Sequence, residues 1–347
     1  MKILGIYQRV SFRYSDLLIV FIYFASIITC WAQAQRENLQ FEIERFSPLL
    51  DSIVSKESNF EILGAGFDWL EGPLWIENHE MLLFSDIPKN IVYKWTERLG
   101  VELYLEPSGF TNDRKVKGGK GGSNGLLLGP NGNLVLFQQG DRRVAAMVAP
   151  LDSPNAEFKN LATNFKGKRL NSPNDGVFKS NGEIYFTDPP YGLDKGENSP
   201  FKEIAYQGVF KISGAGKVDL LLDSLTRPNG IAFLPGEYGL LIANSDPAKP
   251  FVYSYELDRK GGLTNGRIFH DFSGDIKAGE GLPDGIKVDK NGNAFVTGPG
   301  GVWIFSASGE RLGRIKINSL VSNCAFSPQQ TTLFVTADDL LLKINLR

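Results

Sequence analysis

Six short segments of the chain begin with an oxygen-bearing side chain at a comparable position. These residues, called the anchor residues here, are two carboxylates and four amides: Glu71, Asn124, Asn174, Asn229, Asp284 and Asn323. Carboxylate and amide oxygens suit a hard cation such as Ca²⁺, which takes about 6–8 oxygens at roughly 2.3–2.6 Å. If the fold brings the anchor residues together, their chemistry therefore predicts a site for one divalent ion.

The types of the anchor residues also limit which ion they could hold. Histidine and cysteine are absent from the set, which disfavours a conventional zinc centre. Ca²⁺ is the expected ion, with Mg²⁺, Mn²⁺ or Zn²⁺ left open. The alternative without an ion is a ladder of amides that only satisfies the polar ends of strands.

The anchor residues mark an internal repeat, because their positions are separated by 53, 50, 55, 55 and 39 residues. Seven residues after each anchor comes a second polar or turn residue. At three of these places it is Asn-Gly, a strong hairpin signal, and a strand-like run follows. This spacing resembles the roughly 40–50 residues of a propeller blade. The repeat thus predicts an all-β, six-bladed β-propeller with a central metal site; two stacked β-sandwiches are the alternative.

The last repeat provides three strands at most, so the ring needs a strand from elsewhere to close. Phe60–Leu63, just before the first repeat, is expected to supply it, since an unpaired edge would otherwise remain. The predicted organisation is a signal peptide over 1–34, a lead-in segment over 35–58 and the propeller over 59–347. The spacing of the apolar residues in 49–54 predicts a short surface helix in the lead-in.

Composition excludes several classes of protein. The 347 residues carry a formal net charge of -2 and include only two histidines and two cysteines. Neither nucleic acid nor an anionic membrane is therefore expected as a main partner. A zinc finger, an iron–sulfur protein and a disulfide scaffold are disfavoured as well.

The first 34 residues predict export to the periplasm or the medium. Three basic residues precede the uncharged run 17–28, and Ala32-Gln33-Ala34 follows it, as in a cleavable signal. A membrane anchor and lipidation at Cys30 are the alternatives. No membrane association is expected once the signal is removed.

Five motifs together resemble the senescence marker protein-30/gluconolactonase/luciferin-regenerating-enzyme family. They are Glu71-Gly-Pro, Ser172-Pro-Asn-Asp-Gly, Arg227-Pro-Asn-Gly, Leu282-Pro-Asp-Gly and Ser322-Asn-Cys-Ala-Phe. The resemblance extends from Phe60 to Leu346, and the stretch 169–192 is similar to the bacterial gluconolactonases. It implies a six-bladed propeller with one divalent ion in its tunnel.

The resemblance also assigns roles to individual residues. It implies that Glu71, Asn229 and Asp284 are metal ligands, and that Asp284 is also the catalytic base. Asn174 contacts either the metal or the substrate in relatives, so both roles are expected for it. Relatives often carry a histidine before Gly-Asp-Arg-Arg, where this chain has Gln139.

Three further residues are candidates for binding the substrate, a small lactone or ester: Asn124, Arg142 and Tyr191. The two histidines, His79 and His270, are expected to be structural or on the surface, and Cys324 is expected to be buried and inert. The glycine-rich stretch 115–122 lacks the Gly-Lys-[Ser/Thr] ending of a phosphate loop and is expected to be a flexible loop over the metal face.

The expected function is that of a hydrolase that opens a sugar lactone with water activated by a divalent metal. One alternative keeps the site but changes the substrate to an aryl ester or a phosphotriester. The other is a non-catalytic propeller that uses the ion structurally and binds a partner. Architecture alone does not separate these three, because propellers serve many functions.

Overall fold

The computed structural model describes residues 39–112 and 116–347. The predicted signal peptide, its alternatives and Cys30 lie outside these residues. Regular structure begins with strand β1 (Phe41–Arg45), a 3-10 helix (Pro48–Ser52) and strand β2 (Phe60–Ala65). Everything described below lies within the unit Gln40–Arg347.

Twenty-three of the strands that follow form the six blades, each an antiparallel sheet. Blade one holds β3 (Leu70–Ile76), β4 (Met81–Asp86), β5 (Ile91–Thr96) and β6 (Gly100–Leu105). Blade two holds β7 (Ser123–Leu128), β8 (Leu134–Gln138), β9 (Arg143–Met147) and β10 (Phe158–Ala162). A two-stranded ribbon of β11 (Asn164–Phe165) and β12 (Lys168–Arg169) precedes blade three.

Blade three holds β13 (Gly176–Phe178), β14 (Ile184–Asp188), β15 (Gly208–Ile212) and β16 (Val218–Leu222). Blade four holds β17 (Pro228–Phe233), β18 (Gly239–Asn244), β19 (Phe251–Leu257) and β20 (Leu263–Asp271). Blade five holds β21 (Ile286–Val288), β22 (Ala294–Gly298), β23 (Gly301–Phe305) and β24 (Arg311–Ile317). Blade six holds β25 (Val321–Phe326), β26 (Thr332–Ala337) and β27 (Leu340–Asn345). Short 3-10 turns lie at Glu77–His79, Gly196–Asn198 and Pro235–Glu237.

The first strand of every blade lies innermost. Each of these inner strands contacts the inner strands of the two neighbouring blades, and the contact between β25 and β3 closes the circle. The predicted all-β, six-bladed propeller is therefore confirmed, and the anchor residues stand around a common axis.

The ring closes through β2, which contains the segment Phe60–Leu63 that was expected to supply the missing strand. It pairs with β27 and becomes the fourth strand of blade six, with Phe60 opposite Ile344. The first and last parts of the propeller are thereby held in one sheet, and no open blade edge is left between them.

The lead-in segment contains a β-strand that the sequence did not predict. Its strand β1 pairs with β24 as a fifth strand of blade five, and Glu44 lies 2.7 Å from the Arg314 guanidinium. The expected surface helix is a 3-10 turn over Pro48–Ser52, in which Leu50 is fully buried while Leu49 is exposed.

The core lies between neighbouring blades. Aromatic rings bridge the gap between blades two and three, where the ring centroids of Phe137 and Phe186 are 6.3 Å apart. Phe186 in turn stacks on Phe210 of its own blade at 5.5 Å. Such rings bury large apolar areas and fix the angle at which one blade meets the next.

Candidate active site

Local irregularity in the inner strands turns the anchor residues toward the axis. The pairing register breaks at the anchor in four blades: β3 after Glu71, β7 around Asn124, β17 around Asn229 and β25 around Asn323. In the other two blades the strand begins two residues after the anchor, at Gly176 and Ile286. A bulge or a strand start re-aims a side chain that would otherwise stay in the pleat.

Hydroxyl groups of the second strands satisfy backbone carbonyls near the anchors of the next blade. Ser85 Oγ donates to Asn124 O at 2.9 Å, and Thr187 Oγ1 donates to Asn229 O at 2.8 Å. These bonds pair carbonyl groups that would otherwise be buried without partners, and they fix the height of neighbouring anchors relative to one another.

Close contact between blades also requires glycine directly after an anchor. Gly72 has φ of +56°, and a Cβ there would clash with the carbonyl oxygen of Asn124 and with Gly125. The Glu-Gly and Asn-Gly pairs of the motifs therefore allow the inner strands to approach each other closely.

Five of the six anchor residues line one cavity of about 470 Å³ at the axis: Glu71, Asn124, Asn174, Asn229 and Asp284. The sixth, Asn323, is buried beside it and donates its amide hydrogen to Glu71 Oε2 at 3.2 Å. The structure thus brings together the four residues that the sequence predicted as metal ligands.

Glu71 is 3% exposed and is held in place by two donors, the Asn323 amide and the Gly72 N–H at 3.1 Å. Burial raises the pKa of Glu71 to about 7, and the negative charge of Asp175 contributes to this shift, while the hydrogen bond from Asn323 opposes it. A buried carboxylate of this kind calls for a positive partner when it is ionised.

Asp284 lines the same cavity as Glu71. Its Oδ1 atom is buried and has no hydrogen-bond partner among the described residues. Burial, followed by the charges of Glu71 and Asp175, raises the pKa of Asp284 well above its usual value, and a hydrogen bond from Asn229 opposes the shift. Two carboxylates that oppose each other's ionisation are a common sign of a functional site.

The amide anchors present oxygen atoms to the same space. Asn124 Oδ1 and Asn174 Oδ1 are both buried and make no hydrogen bond to any residue the structure describes. Asn229 donates its side-chain nitrogen to Ser245 Oγ at 2.9 Å, which leaves its carbonyl oxygen for the cavity. Buried polar atoms without partners are rare in native proteins and need an explanation such as a bound ion.

The donor set therefore fits a hard divalent cation. Within residues 39–112 and 116–347, no group of three His, Cys, Asp or Glu side chains is arranged to hold a metal. The candidate site is instead built from two carboxylates and several amides, with buried oxygen atoms left unbonded. This composition matches the preference of Ca²⁺ and disfavours ions that need nitrogen or sulfur ligands.

Two other residues singled out from the sequence also line the cavity. The buried Tyr191 hydroxyl has no hydrogen-bond partner in the described part of the chain, and burial raises the pKa of Tyr191. Gln139, which stands where relatives often have a histidine, is 4% exposed and forms part of the wall.

The structure does not bring Arg142 to the cavity, so the prediction that Arg142 binds the substrate is not supported. Its guanidinium group is 1% exposed and donates to four backbone carbonyl oxygens, those of Lys117, Leu170, Asn171 and Phe201. The residue occupies a turn with φ of +54°, which directs its side chain under the neighbouring loops. Arg142 is thus a structural residue that joins three surface segments.

The remaining candidates lie where the sequence placed them. His79 is exposed on the surface, and His270 packs against Phe272 at a ring distance of 4.4 Å. Cys324 is fully buried, and burial raises the pKa of its thiol to about 12, which makes it unreactive.

The glycine-rich loop is held more firmly than expected over its described part, 116–122. Lys120 N donates to Gly192 O at 2.7 Å, and Gly122 N donates to Ile87 O at 2.7 Å. Because Ile87 and Gln139 line the cavity, this loop supports one side of its wall.

Three charged residues of the site were not identified from the sequence. Asp175 is buried at the axis, Lys287 reaches Asn323, and Arg227 lines the cavity while pairing with Glu197 at 3.1 Å. Each lies within three residues of an anchor residue in the chain. An alignment of the six repeats, with attention to charged residues near each anchor, could therefore have identified them.

The chain was compared with known proteins. Residues 69–339 match the SMP-30/Gluconolactonase/LRE-like region. A gluconolactonase of Zymomonas mobilis is 39% identical over 328 residues, which cover 91% of this chain and 90% of that protein. The structure resembles a gluconolactonase of Xanthomonas campestris with a TM-score of 0.74 and 28% identity, over 88% of this chain and 95% of that one.

A calcium-binding regucalcin of Agrobacterium tumefaciens shares the fold at 16% identity, with a TM-score of 0.64 over 82% of this chain and 93% of that one. The resemblance inferred from the five motifs is thereby confirmed. On the family match and the long alignment, the chain belongs to the SMP-30/gluconolactonase/LRE-like family.

Proposed function

We infer that this chain is a lactonase that opens a sugar lactone with the help of one divalent ion held in the central cavity. The observation that carries this inference is the convergence of unbonded oxygen atoms from Asn124, Asn174 and Asp284 beside Glu71, all buried at the axis. The 39% identity to a curated gluconolactonase supports the choice of substrate class.

The ligands of the ion would be Glu71, Asn174, Asn229 and Asp284. A bound divalent ion would polarise the lactone carbonyl and increase the acidity of a nearby water molecule. Ca²⁺ suits the donors best, and the calcium-binding regucalcin that shares the fold supports a divalent metal. Two carboxylates match the charge of such an ion, which lowers the free-energy cost of burying it.

Asp284 is the proposed catalytic base. As water adds to the lactone carbonyl carbon, a carboxylate oxygen of Asp284 accepts its proton. The ester bond to the ring oxygen then breaks, and that oxygen takes a proton, so that the product is the open hydroxy acid. Because a cation weakens the basicity of a carboxylate ligand, this role needs the second oxygen of Asp284 to face the water.

Asn124 and Tyr191 are proposed to orient the substrate. Both project a buried polar atom without a partner into the cavity, so a sugar hydroxyl could supply the missing hydrogen bond. Gln139 is a neutral amide where relatives often have a histidine, a side chain that can carry a proton. We expect this difference to change which substrate is preferred but not to abolish substrate binding.

The apolar part of the cavity wall favours a second candidate substrate class. Trp69, Ile87, Leu282 and Leu320 present apolar surface there. An aryl or alkyl group would bury itself against these side chains, whereas a bare sugar would not. Calcium-dependent hydrolysis of an aryl ester or a phosphotriester at the same site is therefore the alternative.

A substrate panel tests the proposal. Aldonolactones, aryl esters and phosphotriesters would each be assayed with Ca²⁺, Mg²⁺, Mn²⁺ and Zn²⁺ separately. Turnover of an aldonolactone that depends on one of these ions supports the proposal, and turnover of the esters alone favours the alternative. If an ion raises thermal stability while nothing is hydrolysed, the non-catalytic propeller is the better description.

We also propose that the protein works in the periplasm or outside the cell. The basic start, the uncharged run 17–28 and Ala32-Gln33-Ala34 support this location. As a separate finding, the described residues contain no helix with the length and apolar character of a membrane span. Cell fractionation followed by N-terminal sequencing tests this, since cleavage after Ala34 predicts a mature chain that starts at Gln35.

A further inference from the structure

Lys287 places a positive charge next to the anchor residue Asn323, beside the proposed metal site. It follows Asp284 by three residues, and its ammonium group donates to Asn323 Oδ1 at 3.0 Å and to Ile286 O at 3.1 Å. Its charge acts on the carboxyl groups of both Glu71 and Asp284, favouring their ionised forms. Lys287 is therefore close enough to influence any cation that these carboxylates bind.

The contact with Glu71 runs through Asn323. The Asn323 amide nitrogen donates to Glu71 Oε2 at 3.2 Å, while its oxygen accepts from both Lys287 Nζ and the Cys324 N–H, the latter at 2.9 Å. These bonds fix which way the amide faces. Gly285 makes the arrangement possible, because a Cβ there would clash with the Asn323 side chain.

The tunnel holds one more carboxylate than a divalent ion needs. Glu71, Asp175 and Asp284 are the three, and Asp175 is 4% exposed with its Oδ2 buried and unbonded within the described chain. Asp175 adds negative charge that acts on both other carboxylates. Arg227, which also lines the cavity, is already paired with a glutamate. Three negative charges less the one positive charge of Lys287 leave two, the charge that one divalent ion neutralises.

We propose that Lys287 is a built-in counter-charge that sets how tightly the tunnel binds its divalent ion. Without the ion, Lys287 offsets part of the repulsion among the three carboxylates and stabilises the folded tunnel. With the ion bound, the same ammonium group repels it and keeps the affinity moderate. The proposal rests on the metal-dependent function inferred above and concerns only this chain's own residues.

Two effects of opposite sign follow from removing the charge. At a pH at which these carboxyl groups are ionised, the ion-free form of Lys287→Met has three carboxylates without a counter-charge, so its melting temperature falls. The ion then removes more repulsion when it binds, so Ca²⁺ binds about tenfold more tightly than in the wild type. A lysine that only positioned Glu71 through Asn323 would give the opposite result, since its loss would weaken binding.

The experiment is a calorimetric titration of CaCl₂ into chelator-treated, dialysed protein, with melting temperatures measured with and without the ion. Lys287→Gln removes the charge but keeps a donor for Asn323, and it is expected to bind Ca²⁺ as tightly as Lys287→Met. Lys287→Arg keeps the charge and is expected to bind like the wild type. Lys290→Met, which removes an exposed lysine of the same blade, is the matched control and leaves the affinity unchanged.

The outcomes separate this inference from the proposed function. If both Lys287→Met and Lys287→Gln bind Ca²⁺ no more tightly than the wild type, the proposed role of Lys287 as a counter-charge is overturned, even if the wild type binds well. A wild type that binds none of the four divalent ions overturns the metal-dependent function itself. If either variant folds only with the ion, its Ca²⁺ affinity is measured on the loaded protein by competition with a chelator. The inference then still requires that the variant bind Ca²⁺ more tightly than the wild type.

Discussion

Removing the ion should make the stability of this protein strongly dependent on pH. Burial raises the pKa of Glu71 from 4.5 to about 7. A group whose pKa is raised on folding contributes stability below its unfolded pKa and loses that contribution as the pH rises through its folded value. The ion-free protein is therefore expected to become less stable as the pH rises from 4.5 through about 7.

The size of the effect follows from the shift. A change of about 2.5 pKa units corresponds to about 3 kcal/mol in the free energy of unfolding for Glu71 alone, and most of it falls within this pH range. The pKa of Asp284 is shifted in the same direction and adds to the loss. Burial also raises the pKa of Asp188 to about 7, so Asp188 contributes a similar loss of stability with rising pH. Binding of the ion is expected to leave this contribution unchanged.

The assay is urea unfolding at several pH values, for the wild type and for Glu71→Gln, each with a chelator and with Ca²⁺. Glu71→Gln cannot ionise at this position, so its ion-free loss of stability over this pH range should be smaller by about 3 kcal/mol, while the loss from Asp188 remains. Added Ca²⁺ should flatten the wild-type curve toward that of the variant, because the ion stabilises the ionised carboxylates. Identical slopes for the two ion-free proteins would refute the reasoning.

Three further changes separate catalytic from structural residues. Asp284→Asn, which removes the proposed base and a charged ligand, is expected to lower kcat for lactone hydrolysis by at least about 100-fold at saturating Ca²⁺ and to weaken Ca²⁺ binding, as steady-state kinetics and calorimetric titration would show. Tyr191→Phe should lower kcat/KM about fivefold, equivalent to one lost hydrogen bond of about 1 kcal/mol; an unchanged value would remove Tyr191 from the substrate site. Arg142→Met should cost about 2–3 kcal/mol in unfolding free energy, because it leaves buried carbonyl oxygens without donors, and it should leave KM unchanged. A changed KM with unchanged stability would restore Arg142 as a binding residue.

The fold and most of the site could be predicted because the repeat places the anchor residues at equivalent positions in every blade. Once Asn174, Asn229 and Asp284 occupy the same position in successive blades, ring closure alone places them at one level around the axis. Strand β2 could be predicted for a similar reason, since the last blade lacked a strand and only the segment before the first repeat was free to supply it.

Other features depend on contacts that no local pattern indicates. Strand β1 is five residues long, and its partner β24 lies about 270 positions away in the chain, so its pairing is set by the finished blade. Arg142 sits in a charged turn typical of solvent, yet its positive φ directs it inward.

Asp175 and Lys287 follow anchor residues within ordinary turn and strand patterns. Whether such side chains point into the tunnel depends on bulges and strand starts, which the sequence does not reveal. Their charges matter to the site only because the ring places them opposite residues from other blades.

The most direct test of the central claim is the rate of glucono-δ-lactone hydrolysis by chelator-stripped protein, measured before and after a divalent ion is restored. We expect no rate above the uncatalysed reaction in the stripped wild type, recovery with Ca²⁺, and no recovery in Asp284→Asn. Full lactonase activity in the stripped wild type, or in Asp284→Asn, would contradict the account.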